Sequence, residues 1–282
     1  MESQSASTIE SVRRVYAEEL CRVNHISSPA ILAAFSSVPR EAFVGPGPWI
    51  IQSQGETWIN KDGDPRDVYR DALIVLDATK HLNNGQPSLW ASHLAILHIM
   101  PGDHILHLGC GTGYYTAIMA ELTGPRGKVI AMEIDAGLAA RARTALEPWL
   151  QVTVVHGDGA KDPFEPADII VISAGATHPL PAWLTTVRPH GKLLFPLTAT
   201  RGPGTMAHLV RVNADWFHAA LINTAFFVDF IGARDAAVSG ELAKALERDA
   251  GRGVRSLRCD THAKDQTCWL HGKGWCFSRR PA

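Results

Sequence analysis

An α/β fold with a mostly parallel sheet covered on both faces is predicted for this chain by three observations. Short apolar strands alternate with helical runs from His104 onward. The first of these strands runs straight into a glycine-rich loop, Gly109-Cys110-Gly111-Thr112-Gly113, which opens a helix. The second strand ends on an acid, Glu133. Strand, glycine loop, helix, strand and acid make a nucleotide-binding βαβ unit, in which glycine lets the backbone turn tightly and approach a ligand without a Cβ in the way. An acid at the tip of the second strand can accept hydrogen bonds from both hydroxyls of a ribose.

In chain order, residues 8–22 read as a helix, because Ile9, Val12, Val15, Tyr16 and Leu20 form one apolar stripe. Pro29 suits the first turn of a second helix over 30–35. Residues 50–66 read as polar and irregular, and a strand is expected at Ala72-Leu73-Ile74-Val75. After the turn-rich Asn83-Asn84-Gly85-Gln86-Pro87, Ser88 is expected to cap a helix carrying Leu89, Trp90, Leu94, Ile96 and Leu97. Strands are predicted at 104–108, 128–133, 152–156, 168–173 and 191–197, with helices at 113–122, 136–147 and 180–187 between most of them. Residues 206–212 and 217–231 read as two antiparallel edge strands joined at Asn213-Ala214-Asp215, and 241–249 as a tail helix. The organisation expected is an N-terminal helical cap over 1–100, a nucleotide-binding domain over 101–235 and a C-terminal extension over 236–282 that packs on the core.

Composition narrows the function. The chain has 282 residues, of which 46% are hydrophobic and 20% charged, ample for a core and ordinary for a soluble protein. Its net charge of −1 creates no global field toward nucleic acid or anionic lipid. No run approaches the roughly 18 apolar residues that span a bilayer. The start, MESQSASTIE, lacks the basic-then-apolar layout of a signal peptide. A cytoplasmic protein is expected, with no nucleic-acid or membrane partner and with its five cysteines reduced.

Three details favour S-adenosylmethionine as the ligand. The glycines are spaced GxGxG, whereas dinucleotide enzymes use GxGxxG. A second acidic marker, His156-Gly157-Asp158-Gly159, follows the third strand, where Asp158 can accept from an adenine amino group. No Lys or Arg lies in the glycine loop to match a pyrophosphate. The expected cofactor site is therefore Leu108, Gly109, Cys110, Gly111, Thr112 and Gly113, with Glu133, Ile134, Gly157 and Asp158.

The same residues resemble the protein-L-isoaspartate O-methyltransferase family. Val38-Pro39-Arg40-Glu41-Ala42-Phe43-Val44 resembles its VPRxxFV motif, Tyr69-Arg70-Asp71 its YxD segment, and Gln86-Pro87 with Ala91 its QPxxxA. Met100-Pro101-Gly102-Asp103, the glycine loop, Glu133-Ile134-Asp135, His156-Gly157-Asp158-Gly159 and Val187-Arg188-Pro189-His190-Gly191 also match in order and spacing, over roughly residues 8–232. The resemblance implies a seven-stranded, Rossmann-like methyltransferase that moves a methyl group from S-adenosylmethionine to a carboxylate on a protein or peptide. Gln86 and Ser88 are the candidates for positioning that acceptor. One departure stands out: the family's loop reads T-I-S-Q-P, so Gly85 replaces its Ser and Asn83 its Thr. A carboxylate other than isoaspartate, such as an Asp or Glu side chain on a dedicated peptide, is the variant reading. The sequence also leaves open a small-molecule acceptor, an NAD-dependent oxidoreductase and a non-catalytic cofactor-binding protein.

The tail carries Cys259, His262, Cys268, His271 and Cys276 as C-x2-H-x5-C-x2-H-x4-C. Cys and His at such spacing can chelate zinc. The interleaved Trp269, Leu270, Trp275 and Phe277 instead favour a β-hairpin turning at His271-Gly272-Lys273-Gly274, and no metal is expected. His104 and His107, on the strand before the glycine loop, are expected to serve packing rather than catalysis.

Overall fold

A computed structural model of the chain describes residues 8–53 and 55–282. They fall into two compact units, one comprising described residues up to Gly102 with Gly111–Val129 and Asp135–Val154, the other Asp103–Cys110, Ile130–Ile134 and Val155–Ala282.

The first unit opens with α1 (Ile9–Val23), capped by the Thr8 hydroxyl, and α2 (Pro29–Ser37), capped by Ser28 with Pro29 in its first turn. A four-stranded antiparallel sheet follows in the order β2-β1-β3-β4, formed by β1 (Trp49–Ser53), β2 (Glu56–Asn60), β3 (Leu73–Asp77) and β4 (Leu82–Asn83). The first two strands fall where the sequence reads as irregular. Only Trp49, Ile51 and Asn60 of their ten residues are buried, so local alternation is faint, and the pairing of Ile51 with Ile74 on β3 secures them. The unit is completed by α3 (Pro87–Leu97), α4 (Tyr114–Thr123) and α5 (Ala136–Ala145).

Arg40 organises this unit. Its side chain is fully buried, and the guanidinium donates to the carbonyls of Val68 (2.5 Å), Arg70 (2.7 Å) and Ala72 (2.6 Å) and to Asn84 Oδ1 (3.3 Å). It also faces the Tyr16 and Tyr114 rings, 5.9 and 5.8 Å from their centroids. The VPRxxFV motif thus acts by gathering the backbone carbonyls of Val68, Arg70 and Ala72, in and around the Tyr69-Arg70-Asp71 segment, around one buried cation.

The central sheet is formed by β5 (His104–Leu108), β6 (Lys128–Glu133), β7 (Val152–His156), β8 (Ala167–Ile172), β9 (Val187–Leu197), β10 (Gly204–Arg211), β11 (Trp216–Ala225), β12 (Ser256–Arg258), β13 (Cys268–Gly272) and β14 (Trp275–Ser278). Its order is β13-β14-β12-β11-β10-β9-β8-β5-β6-β7. Strands β5, β8 and β9 pair in parallel, and every pair from β9 through β13 is antiparallel. Seven strands are expected, and the run from β7 to β11 contains that many. The sheet has ten because the C-terminal extension returns to pair along β11 and adds three more. β8 reads as an unbroken apolar run, Ile169-Ile170-Val171-Ile172, because all four are at most 1% exposed.

Two helices complete the second unit, α6 (Pro181–Thr186) and α7 (Ala236–Asp249). α7 begins five residues before the expected start because Asp235 caps it, accepting from Val238 N–H at 2.9 Å. β11 ends at Ala225, short of the expected 231, where Phe226 turns out to solvent. The tail forms the expected hairpin: Trp269, Leu270, Trp275 and Phe277 join Phe217, Leu242 and Leu257 in the core of this unit. No helix among the described residues is long and apolar enough to cross a membrane.

Candidate functional site

The strand order turns at β5, with β6 and β7 on one side and β8 on the other. In such sheets ligands bind beyond the carboxyl ends of the strands at this switch point. The backbone there is tied together. Leu108, the last residue of β5, is fully buried, and its carbonyl accepts from Ser173 N–H at 2.9 Å. The N–H groups of Gly109 and Cys110 both donate to the Met132 carbonyl, at 2.8 and 3.1 Å, which folds the start of the glycine loop over the end of β6. Gly157 N–H donates to the Glu133 carbonyl at 3.0 Å, binding the end of β7 to that of β6. Leu108, Gly109, Cys110, Glu133, Ile134, Gly157 and Asp158 are thereby brought together at one end of the sheet.

Their side chains differ in character. Glu133 is only 6% exposed, so a carboxylate is kept largely out of bulk water at the tip of β6. Burial, and then the neighbouring Glu133 charge, push the Cys110 thiol far above its ordinary range, so Cys110 is no nucleophile. Ile134 presents an apolar surface, 42% exposed. Asp158 is held in place: its Oδ1 accepts from Ala160 N–H at 2.9 Å and its Oδ2 pairs with Lys161 Nζ at 2.8 Å. Lys161 first, and the Ala160 N–H with it, hold the Asp158 carboxyl below the usual range. A carboxylate offers about four acceptor positions, so two remain for an incoming donor. Asp135, two residues beyond Glu133, caps α5 through Leu138 N–H at 2.9 Å.

The rest of the loop belongs to the first unit. Thr112 is buried, and Gly113 starts α4 with φ +94°. A Cβ on Gly113 would lie 2.7 Å from Leu146 Cδ1 and 3.1 Å from its Cγ, so any side chain there would have to displace Leu146 as well as hold a left-handed backbone. Gly111 is different: a Cβ would meet no protein atom within 4 Å.

The segment before α3 departs from expectation. Ser88 lies in the first turn, the capping position falls on Gln86, and no side chain of that residue caps the helix. The cap comes from a residue distant in sequence. Asp71 Oδ1 accepts from Ser88 N–H at 2.8 Å, and its Oδ2 accepts from Gln86 Nε2 at 3.2 Å. Local sequence could not reveal this, since Asp71 lies on another loop, although the Tyr69-Arg70-Asp71 segment stood out. Gly85 has φ +76°, and a Cβ there would sit 2.7 Å from Trp90 Nε1 and 3.0 Å from Tyr115 Cε2. Those two rings stack at 5.0 Å, and the Tyr115 hydroxyl donates to the Gly85 carbonyl at 3.0 Å. A polar hollow of 300 Å³ beside Gln86 and Asp71 is lined also by Gln52, Ser53 and Thr57.

Neither histidine of β5 is placed for catalysis. His107 is buried, its ring nitrogen 2.8 Å from the Ser173 hydroxyl, and burial lowers its pKa to about 3. His104 begins β5, at the opposite end from the loop, where its N–H donates to Asp168 at 2.9 Å.

A family model described as protein-L-isoaspartate(D-aspartate) O-methyltransferase matches residues 15–235. The protein-L-isoaspartate O-methyltransferase of Pyrobaculum neutrophilum is 31% identical over 190 residues, which cover 66% of this chain and 83% of that protein. The enzyme of the same name from Methanothermobacter thermautotrophicus is 28% identical over 228 residues, 78% of this chain and 95% of that protein. Among solved structures, a protein-L-isoaspartate O-methyltransferase superposes with a TM-score of 0.64 at 23% identity, covering 84% of this chain and 70% of that one. A putative protein-L-isoaspartate O-methyltransferase of Plasmodium falciparum in complex with S-adenosyl-L-homocysteine gives a TM-score of 0.63 at 16% identity, covering 78% and 98%. The two superpositions show a shared fold.

Proposed function

The chain belongs to the protein-L-isoaspartate O-methyltransferase family, and from that membership we propose that it methylates an isoaspartyl carboxylate presented by a protein chain. It is an S-adenosylmethionine-dependent carboxyl O-methyltransferase with a protein as acceptor. The observation that carries the cofactor assignment is Glu133, a carboxylate held at 6% exposure on the tip of β6. In this reading Glu133 accepts from the ribose hydroxyls and Asp158 from the adenine amino group, with Ile134 against the adenine face. Leu108, Gly109, Cys110, Gly111, Thr112, Gly113 and Gly157 supply backbone to the methionine end and the adenosine. Gln86 and Ser88 position the acceptor. The five cysteines stand as thiols, which suits a reducing compartment such as the cytoplasm, the location we propose.

The reaction asks for no general base. S-adenosylmethionine, when bound, supplies an electrophilic methyl group on a sulfonium. The acceptor carboxylate is already ionised near neutral pH, its ordinary pKa being about 4. The chain's work is therefore to hold the acceptor oxygen in line with the methyl group and to keep water out. Gln86, fixed by Asp71, can donate to the acceptor without abstracting a proton from it. The neutral His107 and the protonated Cys110 stay out of the proton balance.

Gly85 favours one second reading. With no Ser in the loop, the acceptor is an ordinary Asp or Glu side chain of a dedicated peptide. Transfer of labelled methyl to an isoaspartyl peptide, run beside its Asp isomer, separates the two. Isothermal titration with S-adenosylhomocysteine tests the site itself. Glu133→Ala should weaken binding about 10- to 100-fold, the loss of charge-assisted hydrogen bonds. An unchanged affinity in that variant would remove Glu133 from the ribose.

A further inference from the structure

The C-terminal extension holds a second constellation, outside the methyl-transfer machinery. His262, Cys268, His271 and Cys276 each turn one ligand atom toward a common point, and the four atoms all lie within 4.8 Å of one another. Cys268 Sγ is 3.6 Å from His262 Nε2 and 3.8 Å from His271 Nδ1, and the two imidazole rings meet edge-on at 4.8 Å. We propose that these four residues bind one zinc ion tetrahedrally and clasp the extension together.

Backbone irregularity builds the site. Cys268 and His271 are three residues apart, so a regular strand would send them to opposite faces. The pairing of β13 with β14 shifts between Cys268↔Ser278 and Leu270↔Phe277, two residues on one strand against one on the other. This bulge at Trp269 returns Cys268 and His271 to one face while Trp269 and Leu270 stay in the core. Cys276 stands directly opposite His271 in the ladder. His262 reaches in from the loop after β12. Linear spacing could not anticipate this, because the short x5 link is bridged by a bulge and a loop rather than by a finger helix.

The donor set fits zinc. Two thiolates and two imidazoles make a closed tetrahedral shell, which marks a structural rather than a catalytic ion. With bonds of about 2.0–2.3 Å the ligand atoms would stand roughly 3.3–3.8 Å apart, so the widest pair has to close by about 1–1.5 Å at most. The surroundings orient the ligands. His262 Nδ1 lies 2.9 Å from the Asp260 carbonyl, which only accepts, so that nitrogen carries the proton and Nε2 keeps its lone pair for the ion. Asp265 N–H donates to Cys268 Sγ at 3.3 Å, and Arg258, held by Asp260 at 2.5 Å, supplies a nearby cation. Binding deprotonates Cys268 and Cys276 and forms two Zn–S and two Zn–N bonds, so two protons leave per zinc. The clasp would also steady Trp275, whose ring stacks on His178 at 6.0 Å and 13°.

The test is elemental analysis of the full-length protein, reduced, reconstituted with zinc sulfate and desalted. About one zinc per chain is expected, retained in Cys259→Ser and lost in the Cys268→Ser/Cys276→Ser double variant. Cobalt(II) added to metal-free wild type gives a second readout that needs no variant. Thiolate-to-cobalt charge transfer with strong tetrahedral visible bands is expected, and zinc should displace it. Wild type that binds no zinc, undiminished zinc in a folded double variant, or a cobalt spectrum without thiolate bands would each overturn the proposal. A Cys268–Cys276 disulfide persisting under reductant would do so as well.

Discussion

Gly85 stands where the family's loop carries Ser, and its surroundings explain why a simple reversal fails. The backbone is left-handed there, and Trp90 and Tyr115 fill the space a side chain would need. Gly85→Ser should therefore destabilise by roughly 2–4 kcal/mol, from the αL conformation and overpacking together, and reduce turnover rather than raise it. Thermal melts and methyl-transfer rates on the two peptide isomers check this, and a faster, stable variant would contradict the loop geometry. Arg40 makes the complementary point for a polar residue. Replacing it with Met removes the donor that serves two buried carbonyls and a part-buried third, at about 1–3 kcal/mol for each buried group left unpaired. Arg40→Met should lose at least ~3 kcal/mol in urea unfolding, and a loss below ~1 kcal/mol would mean the carbonyls find other partners.

At the scale of elements, the turn between β5 and α4 separates two uses of glycine. Gly113 serves packing, since α5 and Leu146 crowd it, whereas Gly111 faces open space. Gly113→Ala should lower stability by about 2–4 kcal/mol. Gly111→Ala pays only the ~1–2 kcal/mol of its conformation, and should show its larger effect as at least a ~10-fold loss of S-adenosylhomocysteine affinity. Melting curves and titrations of the pair settle it, and equal effects on both measures would refute the distinction. The Asp71 cap belongs to this scale too. Asp71→Ala leaves Ser88 N–H and Gln86 without their acceptor and should cost about 1 kcal/mol in stability. If Gln86 positions the acceptor, the variant should also raise KM for the peptide, while donor affinity stays unchanged.

Over the whole molecule, acid stability follows from two almost fully buried histidines, His93 in one compact unit and His107 in the other. Burial lowers the pKa of His93 to about 4 and that of His107 to about 3, from an ordinary 6.5. Below pH 6.5 the unfolded chain takes up protons that the folded chain refuses. Their contribution is thus complete above that pH and is lost, by about 1.4 kcal/mol per pH unit for each histidine, as pH falls toward the folded values. His107→Gln should flatten the stability curve between pH 6 and 4 by about that slope, measured by urea unfolding at each pH. Donor binding acts in the other direction. S-adenosylhomocysteine at about 100 times its Kd should add ~2.7 kcal/mol and raise Tm by roughly 5–8 °C.

Strand and helix periodicity, together with the glycines and acids at the strand ends, determined the α/β class and drew Leu108 to Gly113, Glu133 and Asp158 out as one motif. Those features are local: a period, a turn that only glycine makes, an acid at or just past the end of a strand. The paired β1 and β2 strands escaped because so few of their side chains are buried that alternation carries little signal. The cap from Asp71 to Ser88, the carbonyls around Arg40 and the crowding at Gly85 depend on residues that meet only after folding. The same is true of the four Cys and His ligands of the tail, whose shared face is set by one extra residue in β13. Hydrogen bonds and close packing between distant segments are decided by register and distance, and only the tertiary structure supplies those.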